Sequence, residues 1–254
     1  MTEQIYNPLR HKLAEGQACV GAWLMSGSPI HAEAMASLGF DWLCVDMEHG
    51  STDISEVEAV FVAAERHGAA PIARINALDG ELARRLLDLG AVGIIVATTE
   101  SAAAFETFTQ SCLYAPRGRR GVGLSRCNVW GDTFEGYKAH FQPILAPMVE
   151  TKKGVEEAGA LAALPMVDAM FMGPYDLSSD LGCAGDFSNP TFTDAVATVR
   201  KACEENNVAP GYHQVICDDK ELQARIDEGF KFLAYGTDIL SMRQALSGIR
   251  NLKG

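Results

Sequence analysis

The stretch Asp46-Met47-Glu48-His49 sets two carboxylates and an imidazole directly behind the apolar run 42–45. Such a set can ligate a metal, move protons, or hold another group in place, and the residues alone leave all three open. Similar edges recur along the chain. Arg74 lies near the end of APIARI (70–75), Glu150 ends ILAPMVE (144–150), and Asp176 follows VDAMFMG (167–173) through Pro174 and Tyr175. Carboxylate oxygens suit a hard divalent cation such as Mg²⁺, which keeps sites open for water or substrate. An arginine fork suits a substrate carboxylate or a developing enolate oxygen, and a histidine is the side chain poised for proton transfer near neutral pH. Each residue also has a structural reading. Asp176 could cap a helix, Glu150 could favour the positive end of the helix after it, Arg74 could be a surface ion-pair partner, and a lone histidine is more often structural.

These residues matter together only if the fold converges them. Strand-like runs occupy 19–24, 42–47, 70–75, 93–98, 144–150, 167–173, 209–215 and 230–238. Helical patterns follow at 31–39, 54–68, 79–90, 100–115, 152–164, 190–207, 218–229 and 239–251, after an amphipathic opening at 8–17. Continuous apolar strands fit a parallel sheet covered on both faces. Eight βα repeats over 254 residues predict an α/β chain folded as one (β/α)₈ TIM barrel with an extra N-terminal helix, spanning 1–254. A doubly wound open sheet is the alternative, but no G-x-G-x-x-G follows the first strand. In a barrel the C-terminal strand ends share one rim, where chemistry sits. His49, Arg74, Glu150 and Asp176 would then meet despite their separation.

Composition narrows the function. A net charge of −12 disfavours nucleic acid as a partner, since phosphate backbones need a basic surface. No charge-free apolar run reaches membrane-spanning length, and the polar N-terminus carries no signal-peptide pattern. Seven cysteines without a C-x-x-C pair suggest free thiols in a reducing, cytoplasmic setting.

In order along the chain, GFDWLCVDMEHG, PIARIN, LLDLGAVGIIV, YAPRGRRGVG, MVETKKGVE and FMGPYDLSSDLG resemble the HpcH/HpaI aldolase family over about residues 19–245. The combination of D-x-E-H-G, V-E-T and G-P-x-D-L-S carries the likeness. The resemblance implies a (β/α)₈ barrel and a class II, metal-dependent pyruvate aldolase, like 4-hydroxy-2-oxoheptanedioate aldolase or 2-dehydro-3-deoxyglucarate aldolase. It implies reversible cleavage of a 4-hydroxy-2-oxoacid to pyruvate and an aldehyde through a metal-bound pyruvate enolate. Glu150 and Asp176 would ligate Mg²⁺, Mn²⁺ or Co²⁺. Arg74 would contact the keto oxygen, His49 would transfer protons, and Asp88 would orient His49. Gly173 and Pro174 would bind the pyruvate carboxylate. Asp46 and Glu48 would then be supports that hold His49 and metal water. The resemblance also implies a homo-oligomer, a hexamer built as a trimer of dimers, with the last helix packed on a neighbouring subunit.

Departures cluster around the pocket. Met148 stands where the family usually has Gln, and Thr98, Thr99 and Glu100 replace its usual residues after the fourth strand. Tyr212 and His213 bring a phenol and an imidazole to the end of the seventh strand; both are candidate substrate contacts, as is Trp23 at the end of the first. The long connection 116–143 holds Arg117, Arg119, Arg120 and Arg126, and Arg120 and Arg126 are candidates for a distal carboxylate of the aldehyde acceptor. Competing functions are a metal-dependent acyl-CoA lyase of the citrate lyase β/malyl-CoA type, a 2-oxoacid decarboxylase, and a barrel kept only for binding.

Overall fold

The apolar runs become eight short strands: β1 Cys19–Leu24, β2 Trp42–Asp46, β3 Ala70–Ile75, β4 Gly93–Val96, β5 Ile144–Val149, β6 Ala169–Met172, β7 Ala209–Gln214 and β8 Phe232–Thr237. They pair in parallel in chain order, and β8 closes on β1 to complete the barrel. This is a computed structural model and it describes residues 7–252. The polar opening read for a signal lies partly in residues 1–6, outside the described residues. Around the barrel run α1 Pro8–Ala14, α2 Pro29–Ala36, α3 Ile54–Glu65, α4 Gly80–Asp88, α5 Ala102–Thr109, α6 Phe134–His140, α7 Lys152–Ala162, α8 Pro174–Asp180, α9 Pro190–Glu205, α10 Asp219–Asp227, α11 Asp238–Ala245 and α12 Ile249–Leu252. No helix among the described residues is long and apolar enough to cross a membrane.

Strand alternation sorts the side chains into two cores. Trp23, Trp42, Cys44, Ile72, Met148, Phe171 and Phe232 fill the barrel interior. Leu24, Leu43, Val45, Ile75, Val149, Met172 and Tyr212 pack outward under the helices. The interior is dense. The Trp42 and Phe232 rings lie 4.5 Å apart between centroids, and a side chain at Gly21 would overlap the Trp42 indole. Burying a phenylalanine such as Phe232 contributes about 1.5–3 kcal/mol.

Two segments differ from the sequence reading. The chain after β6 turns at once into α8, with Gly173 at its N-cap and Pro174 in its first turn. Proline suits that position because its missing N–H has no helical partner there. Asp176 therefore sits inside the first turn of α8, not at a cap. The long connection is also built rather than open: it holds a kinked 3₁₀ segment, Arg126–Gly131, and then α6.

Candidate active site

Asp46 is the last residue of β2 and points into the barrel mouth. Its Oδ1 accepts hydrogen bonds from Glu48 N, His49 N and Arg74 Nε, each at 3.0 Å. Its Oδ2 accepts from Arg74 Nη2 at 2.5 Å and Trp23 Nε1 at 3.2 Å. One carboxylate thus folds the loop after β2 back on itself and grips the arginine of β3. Burial alone would push the Asp46 carboxyl up, but the hydrogen bonds and charge of Arg74, with the His49 and Glu48 amides, bring it below the usual range. Arg74 makes a second ion pair, Nη1 to Glu48 Oε2 at 2.8 Å, and its guanidinium lies 5.4 Å from the Trp23 ring centroid. Burial works against the Arg74 charge, and the two carboxylates more than offset it. Asp46 and Glu48 therefore hold Arg74 first of all; His49 gains only its backbone bond to Asp46 and a 3.8 Å approach to Glu48.

Glu150 follows β5 and is buried. The pairing of Val149 with Met172 puts it level with Gly173, and that of Met172 with Tyr212 puts His213 level with both. Thr98 orients it: Thr98 N and Oγ1 donate to Glu150 Oε1 at 2.5 and 3.0 Å. Thr98 adopts φ 47° to do so, a left-handed backbone that is unfavourable for a β-branched residue. Burial pushes the Glu150 carboxyl above the usual range; the nearby Asp176 and Glu48 charges add to this and the Thr98 bonds oppose it. Thr151, not Glu150, caps α7, accepting from Gly154 N at 3.0 Å. A Cβ at Gly173 would stand 2.5 Å from Glu150 Oε2 and 2.7 Å from Met148 Cε, so glycine keeps the floor between these groups clear.

Glu48, His49, Thr98, Glu150, Asp176 and Asp180 line one cavity of about 520 Å³. Ligand-spaced groups of three or more His, Cys, Asp or Glu are absent among the described residues. The carboxylates on the cavity lining are Glu48, Glu150, Asp176 and Asp180; Glu48 is paired with Arg74 and one Glu150 oxygen is held by Thr98. A carboxylate pair beside open volume fits a hard divalent cation that keeps water or substrate in its other positions. Burial first, and then the Asp176 and Glu48 charges, raise Glu150, and a bound cation would offset both.

The other candidates divide. Pro174 is buried at the start of α8, and His49 is largely exposed at the cavity edge. Met148 is packed in the barrel interior beneath Gly173. His213 points inward, stacked on Trp23 at 4.6 Å, with its Nε2 enclosed and without a hydrogen bond. Burial, then the Arg74 charge, holds the His213 imidazole down to about 4. Trp23 is itself fully buried, so it supports Asp46 rather than lining the cavity.

Three expectations are corrected. Tyr212 is not a pocket residue: it neighbours His213 on β7 and so faces the other way, under Arg225 at 4.6 Å and beside Phe230. Asp88 does not back His49 within this chain; its carboxylate accepts from Arg120 Nη2 at 2.6 Å. The reason is position, since Asp88 ends α4, about 12 Å along the helix from the rim-side Gly80 at 1.5 Å per residue. Arg126 does not reach the cavity either. It pairs with Glu65 and donates to Leu89 O at 2.9 Å, at the end of α4 that leads into β4, opposite the rim. Arg120 is buried between Asp88, Tyr114 and Tyr137. Thr98 as the holder of Glu150 was legible only as a departure from a motif, because its backbone angle is what aims it.

A family model described as HpcH/HpaI aldolase/citrate lyase matches residues 20–245. The chain is 32% identical over 237 residues to a hydroxypyruvate/pyruvate aldolase of Roseobacter denitrificans, covering 92% of this chain and 91% of that one. It is 30% identical over 243 residues to a 5-keto-4-deoxy-D-glucarate aldolase of Escherichia coli, covering 94% and 93%. Among solved structures, an HpcH/HpaI aldolase/citrate lyase family protein from Burkholderia cenocepacia superposes with a TM-score of 0.87 at 31% identity, covering 96% of this chain and 99% of that one.

Proposed function

Because the chain belongs to the HpcH/HpaI aldolase/citrate lyase family, we propose that it is a carbon–carbon lyase, a class II aldolase that cleaves 4-hydroxy-2-oxoacids to pyruvate or a close 2-oxoacid and an aldehyde. One observation carries the site assignment: Arg74, locked between Asp46 and Glu48, stands beside the cavity that presents Glu150 and Asp176.

Glu150 and Asp176 would hold Mg²⁺, Mn²⁺ or Co²⁺. When bound there, such a cation supplies Lewis-acid stabilisation of the charge that develops on the keto oxygen. The chain's own residues do the rest. Arg74 offers a fixed guanidinium to the 2-oxoacid, and its clamp means no reorganisation at the moment charge develops. Gly173, with no side chain, leaves room for the substrate carboxylate at the start of α8. His49, at the cavity edge and next to Glu48, takes the proton of the aldol hydroxyl and returns it in the reverse direction. His213, neutral and stacked on Trp23 inside the barrel, stands off the cavity lining.

The acceptor side would be formed with a second subunit. Met242 on α11, Leu246 at its C-cap, and Ile249 and Leu252 on α12 are exposed apolar residues. They support packing of the C-terminal helices on a neighbouring subunit and a hexameric assembly, which light scattering after gel filtration would measure.

The deciding experiment follows methyl exchange of pyruvate in D₂O by NMR, with EDTA and with added Mg²⁺ or Mn²⁺. Metal-dependent exchange is expected. An absence of exchange with every metal would defeat the aldolase reading.

A further inference from the structure

A second cleft, apart from the Glu150 cavity, lies between α4 and the turn 110–120. It encloses about 300 Å³ and is lined by Gly80, Glu81, Arg84, Ser111, Arg119 and Arg120. Three arginines among six lining residues is a local reversal in a chain of net charge −12.

The arginines are placed by the fold, not scattered on a mobile loop. Gly80, Arg84 and Asp88 recur every four residues, so they share the face of α4 that meets the turn. Gly118 N donates to Tyr114 O at 3.1 Å, Arg119 N to Gln110 O at 2.7 Å and Arg120 N to Leu113 O at 2.8 Å, which fixes both arginine backbones. A side chain at Gly80 would overlap Ser111 Oγ; glycine lets that hydroxyl sit against the first turn of α4. Arg120 is buried: its Nη2 donates to Asp88 Oδ1 and approaches Cys127 Sγ at 3.7 Å, and its guanidinium lies over the Tyr114 and Tyr137 rings. Arg84 and Arg119 form no ion pair with any described residue, whereas Arg120 and Arg126 do. Of the acidic groups nearby, Asp88 is spent on Arg120, and Asp79 is turned onto the Glu81 and Leu82 amides as the cap of α4. Glu81 alone lines the cleft as an unpaired carboxylate.

We propose that this cleft binds a compact oxyanion, the phosphate group of inorganic phosphate or of a phosphate ester, between Arg84, Arg119 and the Ser111 hydroxyl, with Arg120 behind them. Planar guanidinium forks match phosphate oxygens pairwise, and a nearby hydroxyl completes the set. The mechanism at Glu150 uses none of these residues, so this inference stands or falls apart from the aldolase reading.

Isothermal titration of the intact protein with inorganic phosphate and, separately, with adenosine 3′,5′-bisphosphate tests it, with chloride matching the ionic strength. Saturable single-site binding is expected from at least one probe. Tighter binding of the bisphosphate identifies a nucleotide-borne phosphate, and equal or tighter inorganic phosphate identifies the free anion. Arg84→Ala with Arg119→Ala should weaken binding at least tenfold while pyruvate methyl exchange stays at the wild-type rate. Glu81→Gln, which removes the one opposing charge on the lining, should tighten binding several-fold. No saturable binding of either probe, or equal affinity in wild type and the double variant, would overturn the proposal.

Discussion

Replacing Asp46 with alanine removes the acceptor that five donors share: two from Arg74, one from Trp23, and the amides of Glu48 and His49. Both partners of the ion pair are buried, with side-chain exposures of 8% for Arg74 and 2% for Asp46. Breaking a buried pair from one side costs about 3–5 kcal/mol, because the remaining charge stays desolvated. Glu48 still faces Arg74 at 2.8 Å, which puts the expected loss at the lower end, about 3 kcal/mol. For a chain of this size that corresponds to a fall in Tm of roughly 6–12 °C. Asp46→Asn keeps the shape and one acceptor oxygen and should fall between wild type and alanine. The pH dependence has a definite sign. The Asp46 carboxyl is held below its ordinary value in the fold, so its contribution is fully present above the unfolded value and fades as pH drops through the folded one. Urea unfolding of wild type and Asp46→Asn across acidic pH should therefore converge as the solution becomes more acidic. A loss under about 1 kcal/mol for Asp46→Ala, or curves that run parallel in acid, would refute the view that Asp46 sets Arg74 in place.

Glu150→Gln should abolish pyruvate exchange and yet raise Tm in metal-free buffer. Burial holds the folded carboxyl above its ordinary value, so the charged form opposes folding at neutral pH; a lowered Tm would contradict this. Asp176→Asn should likewise abolish exchange. His213, held down to about 4, stays neutral through the physiological range. Stability that it supports is lost as pH falls from the ordinary histidine value toward 4, because the unfolded imidazole takes up a proton that the folded one refuses. His213→Asn should flatten that part of the stability profile, while leaving the shape of the activity profile above pH 6 unchanged; a shifted activity limb would show that His213 titrates during turnover.

The order of strands and helices was readable from the amino-acid sequence because it rests on local periodicity and on glycine stops. Gly39, Gly68, Gly90 and Gly229 all take positive φ at the ends of their helices, as their spacing after apolar patterns predicts. The rim followed from that order: once eight strands run parallel, Asp46, Arg74, Glu150 and Asp176 must gather at one end. Helix α8 was missed because it is a single short piece with Gly-Pro at its head, too brief to show a period.

What the tertiary structure decided is which groups touch. Parity on β7 turned His213 inward and Tyr212 outward, a matter of one residue of register. The roles of Asp46 and Glu48 moved from His49 to Arg74 because β2 and β3 pair in register, Asp46 beside Arg74. Thr98 reaches Glu150 only through a left-handed backbone at the end of β4. Arg120 and Arg126 were drawn to Asp88, Glu65 and Leu89 by the path of a long connection along α4. Residue type and spacing set which chemistry the chain can perform, because periodicity is local. The partners of long, charged side chains depend on strand register and loop path, which are settled only when distant segments meet.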